Sequence, residues 1–257
     1  MRYSWTLEVG KMKNKDLWQP TKFVVKGSVL RANRNEEHVS VASRGMVDAI
    51  GQFYSSIIPT HVRGKLLDLG CGNVPLYRFY EPFTSDNVCV DWGNTLHQNS
   101  FLDVEADLNQ PLPLAENTYD TVILSDVLEH IRQPEQLIQE IHRVMKTGGK
   151  FLVNVPFYYG IHEAPYDYFR YTEFALRSMT EENGFDVMYL QPLGGVPEIL
   201  ADVIAKYFMG FPVIGKSISK LAQWKVRLLL KTGFGKRMSI KSAKRFPLAY
   251  GMVAQKT

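Results

Sequence analysis

Apolar positions along this chain follow two rhythms. Short, nearly continuous apolar runs recur at 65–69, 87–91, 101–105, 119–124, 150–155, 185–190 and 248–254. Such runs are the mark of strands buried on both faces. Between them the apolar residues take helical spacing. Over 40–58 they are Val41, Met46, Val47, Ile50, Phe53, Tyr54, Ile57 and Ile58, with Pro59 expected to end the helix. Further helices are expected over 75–82, from Pro134 to a stop at Gly148-Gly149, and over 173–183, capped by Thr172 and closed by Gly184. Strands that alternate with helices predict an α/β chain with a parallel sheet and right-handed crossovers.

The first strong run ends in a distinctive way. Lys65-Leu66-Leu67-Asp68-Leu69 leads into Gly70-Cys71-Gly72-Asn73. A buried strand there breaks into a tight turn whose glycines permit positive φ and let a ligand reach bare backbone. Two readings compete. A dinucleotide site wants G-x-G-x-x-G, but Pro75 stands at the third position, which disfavours a nicotinamide oxidoreductase. S-adenosylmethionine carries no phosphate and needs acceptors for its ammonium group and ribose hydroxyls; Asp68, two residues ahead of the first glycine, suits that cation. Asp91 closes the next strand nineteen residues past Gly72, where a carboxylate can accept from both hydroxyls of a ribose.

Leu67-Asp68-Leu69-Gly70-Cys71-Gly72 resembles motif I of the class I S-adenosylmethionine-dependent methyltransferases. The later run is similar to the common methyltransferase domain of that class: Leu128-Glu129-His130-Ile131, a helix, Arg143-Val144-Met145-Lys146-Thr147-Gly148-Gly149, a strand, and Pro156. The resemblance implies a seven-stranded doubly wound, mostly parallel sheet with an antiparallel last strand, a Rossmann-like methyltransferase fold. It implies S-adenosylmethionine as cofactor, held by Asp68, Gly70, Cys71, Gly72, Asp91, Trp92, Asp107, Leu108 and Ser125. Asp107 would receive the adenine amino group, with Leu108 against the ring; a capped turn before Pro111 is the other reading. His130 is expected to be structural or to edge the cofactor. The domain bounds that follow are an N-terminal arm at 1–39, the cofactor-binding domain at 40–193, a helical insertion at 194–246, and the last strand at 247–257.

The loop after the fifth strand, 156–172, leaves the same sheet edge and should face the transferable methyl. Its His162-x-x-Pro165-x-Asp167-Tyr168-x-Arg170-Tyr171-Thr172 resembles a stretch in methyltransferases of sugar and cell-surface polysaccharide synthesis. A hydroxyl acceptor benefits from a general base, and His162 is the first candidate, with Asp167 and Glu163 behind it. Arg170 would hold an anionic acceptor or pair with Asp167. The expected activity is O-methylation of a sugar or glycan precursor, the acceptor being small or lipid-linked. The alternatives are methylation of a membrane lipid or quinone, and a non-catalytic cofactor-binding scaffold. No spacing of His, Asp and Glu suggests a metal, so none is expected.

Charge alters the picture only near the end. The formal net charge is +4 over 257 residues, yet from Pro197 onward twelve Lys and Arg face only Glu198 and Asp202. A helix over 216–231 puts Lys216, Lys220, Gln223, Arg227 and Lys231 on one face, opposite Ile218, Leu221, Ala222 and Leu229, with Trp224 at the boundary. That reads either as a lid with a solvated basic face or as a helix lying on anionic membrane. Nucleic acid is disfavoured, because the basic residues lack interleaved aromatics. The two cysteines suggest no disulfide framework, and residues 1–20 show no apolar secretory core. A cytoplasmic protein with peripheral contact at the inner membrane face is the expectation. Trp18, Phe23 and Arg31 in the arm are expected at the surface, over the site or against a partner.

Overall fold

A computed structural model describes residues 12–93 and 100–257. A hairpin comes first, β1 (Phe23–Lys26) and β2 (Val29–Ala32), joined through Gly27-Ser28. Helix α1 (Arg44–His61) leads into β3 (Gly64–Leu69), a single helical turn α2 (Tyr77–Tyr80), β4 (Thr84–Asp91) and the two-residue β5 (Val104–Glu105). Then follow β6 (Tyr119–Ser125), α3 (Pro134–Val144), β7 (Met145–Pro156), α4 (Glu173–Glu182) and β8 (Phe185–Leu193). Three helices, α5 (Val196–Met209), α6 (Gly215–Leu229) and α7 (Gly233–Ala243), precede β9 (Ala249–Lys256).

The main sheet has seven strands in the order β5-β4-β3-β6-β7-β9-β8. Pairing is parallel from β5 to β7, and β9 runs antiparallel to both of its neighbours. This is the doubly wound sheet with one reversed strand that the sequence implied. Consecutive residues of each central strand serve opposite faces, as strand geometry requires. Leu66, Ile123 and Leu152 pack with Ile50 and Tyr54 of α1, while Leu67, Val122 and Phe151 pack with Leu137 and Ile141 of α3. Every one of these strand residues is fully buried, and each aliphatic side chain there contributes about 1.5–3 kcal/mol. Lys256 of β9 is a buried peg whose ammonium donates to Asn117 Oδ1 and to the carbonyls of His142 and Met145 at 2.8–3.1 Å.

Local details depart from the sequence reading. Pro59 sits inside α1, because it falls in the last turn, where Val62 N can still donate to Ile58 O at 3.0 Å. The helix after the glycine turn shrinks to α2, since Pro82 turns residues 81–83 into a 3-10 turn. So short a helix has little dipole to offer a ligand. Trp18 and Phe23 are buried in the core that α1 completes, and Trp18 Nε1 donates to Val74 O at 2.9 Å. The portion of the arm at 1–11, with the absent secretory core, lies outside the described residues.

The insertion is inside-out. In α5 the polar stripe Glu198, Asp202 and Lys206 faces the protein: Ser239 Oγ donates to Glu198 at 2.6 Å, Lys206 bonds the buried Asp202 at 2.6 Å, and Lys206 Nζ lies 3.1 Å above the Tyr159 ring. In α6 small residues make the contact, with Ser219 donating to Ala205 O at 2.6 Å. The basic face of α6 also turns partly inward. Lys216 and Lys220 pair with Glu36, and Gln223 Nε2 donates to Ala42 O. Bulky apolar side chains point outward instead: Leu200, Val203, Tyr207, Val213, Leu221 and Trp224 are all exposed.

Candidate functional site

The carboxyl ends of β3, β4, β6 and β7 gather the candidate residues along one rim. Beyond β3, Gly70 and Gly72 adopt φ of +63° and +49°. Gly70 N donates to Val90 O at 2.8 Å, stitching the turn to β4. A Cβ on Gly70 would sit 2.4 Å from Val127, so backbone and neighbour both demand glycine; a Cβ on Gly72 would meet nothing within 4 Å. Open space over bare backbone there leaves room for a ligand. Gly70→Ala should cost about 2–4 kcal/mol, combining a left-handed penalty with overpacking, and chemical denaturation will read it.

Asp91 binds this turn directly. Its Oδ2 accepts from Gly72 N at 2.7 Å and its Oδ1 from Trp92 N at 2.7 Å. Trp92 is partly exposed and stacks edge-on against Tyr166, with centroids 5.5 Å apart. Asp68 is buried beneath the turn. Burial pushes its carboxyl up to about 8; the Tyr80 hydroxyl at 3.4 Å opposes the rise and the Asp91 charge adds to it. The contact with Cys89, then burial, holds the Cys71 thiol above the usual range; for Cys89 the hydrogen bond with Cys71 opposes the rise, which burial and the nearby Asp68 and Asp103 charges bring about.

Two expected cofactor residues already hold protein partners. Asp107 Oδ1 accepts from Asn109 N at 2.9 Å and Asn109 Nδ2 at 3.0 Å, which is the capped-turn reading, and Leu108 is buried in the core. Ser125 Oγ donates to Asn154 Oδ1 at 2.8 Å, which also accepts from Tyr54 Oη; Asn154 Nδ2 in turn donates to Asp126, the partner of Lys22.

The loop at 157–172 folds back over the residues after β6. Tyr168 N donates to Glu129 O at 2.9 Å. Arg170 grips Asp167 with two parallel bonds of 2.5 and 2.7 Å, and that guanidinium holds the Asp167 carboxyl well below the usual range. Asp167 also accepts from His162 N at 3.0 Å and lies 3.2 Å from His162 Nδ1. An open depression of about 280 Å³ lies against this loop, lined by Tyr159, Ile161, Asp167, Tyr168, Phe169 and Arg170. Sequence reasoning missed Glu129. Its side chain is fully buried, 3.7 Å from both His130 Nε2 and His162 Nε2, and burial raises its carboxyl above the ordinary value. Burial alone would lower the His162 imidazole, but Glu129 and Asp167 hold it above the usual histidine value. The available signal was an acid and a histidine side by side at a strand end, with another histidine in the next edge loop.

Residues 67–153 match the family described as a methyltransferase domain. That span covers the glycine turn, Asp91 and Glu129. By sequence that span is similar to a methyltransferase domain. The chain is similar to the thiol S-methyltransferase TMT1B of Rattus norvegicus, 30% identical over 96 residues, 33% of this chain and 39% of that protein. It is 40% identical over 55 residues to the ubiquinone/menaquinone biosynthesis C-methyltransferase UbiE of Blochmanniella pennsylvanica, 21% of each. The chain thus spans less than half the length of each of these relatives. A solved S-adenosylmethionine-dependent methyltransferase from Archaeoglobus fulgidus superposes with a TM-score of 0.53 at 18% identity, over 79% of this chain and 91% of that one. At that identity the likeness shows the fold alone: the Rossmann-like methyltransferase fold.

Proposed function

We propose that this chain is an S-adenosylmethionine-dependent methyltransferase that methylates a hydroxyl on a sugar or glycan precursor carried by a lipid. For the cofactor, the methyltransferase domain supports the reading, as does the fit of the rim. Asp68 is a buried acid for the ammonium group, the open Gly72 lets the ligand approach, and Asp91 is an acceptor for ribose hydroxyls. Bound S-adenosylmethionine would supply an electrophilic sulfonium methyl for in-line displacement, so the protein's work is to position the acceptor and manage its proton. His162, Asp167 and Arg170 would serve the acceptor, with Asp167 and Arg170 holding the imidazole in place.

The inside-out helix pair carries the lipid part of the reading. Its outward apolar row, together with a tail rich in Lys and Arg, matches an anionic bilayer. The same helix α5 touches the acceptor loop through Lys206 and Tyr159. A lid would turn those apolar residues inward. No helix among the described residues is long and apolar enough to cross a membrane, so contact would be peripheral. The same observation favours a second reading, methylation of a membrane lipid or quinone, and the name of the UbiE relative supports it.

The test pairs vesicle flotation with labelled-methyl transfer. The chain should float with vesicles containing phosphatidylserine, and a Val213→Asp/Trp224→Asp variant should lose at least about tenfold of that binding. Label should enter lipid-linked sugars in the presence of those vesicles. Failure to float, or transfer to water-soluble sugars with no effect of vesicles, would sink the proposal; label in a quinone ring would select the second reading.

A further inference from the structure

We propose that Glu129, His130 and His162 form a binding site for a divalent transition-metal cation. One ligand atom from each lies within 4.8 Å of the others, and Glu129 is fully buried. Both Glu129 oxygens and His130 Nε2 are buried without a hydrogen-bond partner. Leaving such groups unpaired is costly, so each calls for an occupant.

Tautomers make the case sharper. His130 Nδ1 lies 3.0 Å from Tyr166 O, and a carbonyl can only accept. Nδ1 therefore carries the proton, and Nε2 presents a lone pair. His162 Nδ1 lies 3.3 Å from Gly160 O and 3.2 Å from Asp167 Oδ2, both acceptors, so in the neutral ring its Nε2 presents a lone pair too. These two lone pairs face the buried Glu129 carboxylate across gaps of 3.7 Å, too long for hydrogen bonds. Three acceptors facing one another repel unless something positive lies between them.

A cation fits that demand. Two imidazoles and a carboxylate are a common set for zinc, iron or manganese, with further positions open. Ligands at about 2.1 Å from such an ion stand roughly 3–3.6 Å apart, so the 3.7 Å gaps close by less than about an ångström and the widest pair, within 4.8 Å, by at most about 1.8 Å. The outer partners are already in place: Tyr166 O orients His130, and Asp167, clamped by Arg170, orients His162. Glu163 Oε2, 3.8 Å from His130 Nε2 and mostly exposed, is available as a further oxygen at the mouth. The open positions face the loop read here as the acceptor side. On that reading, which the cation site itself does not need, an acceptor hydroxyl would bind there and lose its proton more readily.

The test uses the full chain, stripped with chelator, and Co²⁺ as a coloured probe. One equivalent of Co²⁺ should bind and give visible absorption bands, and Zn²⁺ should displace it. Glu129→Gln and His162→Ala should each weaken Co²⁺ binding at least about tenfold, the loss that removal of even an outer partner produces. His38→Ala, at an exposed site, should change nothing. Calorimetry with S-adenosylmethionine on the same variants reports whether they fold. Because His162 is part-exposed, its variant keeps the test open if Glu129→Gln misfolds. No Co²⁺ uptake, or uptake indifferent to whichever of these variants folds, overturns the proposal and leaves the methyltransferase reading standing. S-adenosylmethionine binding that fails while Co²⁺ binding survives does the reverse.

Discussion

Asp91→Ala should weaken S-adenosylmethionine binding by about a hundredfold or more. An ionised carboxylate offers about four lone-pair sites, enough to accept from backbone and ligand at once. Here it already ties Gly72 N and Trp92 N to the end of β4. Bonds from two ribose hydroxyls to a charged acceptor contribute about 1.5–3 kcal/mol each, and about 2.7 kcal/mol is a hundredfold. Alanine would also release the turn that Asp91 braces, so the loss has a positional part. Calorimetry gives the affinity, and thermal unfolding of the empty variant separates binding from stability. An affinity within threefold of the parent would remove Asp91 from the cofactor site.

At pH 7, S-adenosylmethionine should enter with release of close to one proton. In the empty protein Asp68 is mostly protonated, because burial has pushed its carboxyl to about 8. A ligand ammonium beside it favours the ionised form. Affinity should therefore climb as pH rises toward 8, by up to about tenfold per unit, and flatten above that. Calorimetry in buffers of different ionisation enthalpy counts the protons. Asp68→Asn should lower the count relative to the parent and flatten the pH dependence; equal counts in both proteins would exclude Asp68 as the ammonium partner. The sign for stability is opposite. An acid raised in the folded state contributes stability that is full below about pH 4 and is lost as pH rises through about 8. On Asp68 alone, the empty protein should be more stable at pH 6 than at pH 9, and bound ligand should narrow that difference.

The sheet was legible because its strands are simple. Each central strand is a continuous apolar run, and only a sheet covered on both faces buries Leu66 and Leu67 together. The doubly wound class, the reversed last strand and the glycine turn followed from motif and resemblance. Ends of elements were less legible. Pro59 reads as a stop in any local rule, yet the last helical turn tolerates it. The arm misled because Trp18 and Phe23 are isolated in sequence and acquire their partners only when α1 and the glycine turn close over them. The insertion was less legible still. Helical periodicity locates an apolar face but not its direction, and in α5 and α6 the polar and small residues took the inside. Asp107 and Ser125 were legible as residues just past strand ends, but their bonds to Asn109 and Asn154 were not. Glu129 escaped because an acid inside a helix-like run looks solvated until the loop at 157–172 covers it.

The position of β9 has a consequence for assembly. Although β9 follows every other strand of the sheet in the chain, it is not at the edge; it lies between β7 and β8. During synthesis β8 emerges some sixty residues before β9, its neighbour in the sheet among the described residues, and must wait while α5, α6 and α7 form. Until β9 threads into the gap, β7 keeps an open hydrogen-bonding edge and Lys256 has not yet plugged the base of α3. The nascent protein is thus a sheet with a vacant slot, and the eight-residue β9 is the keystone.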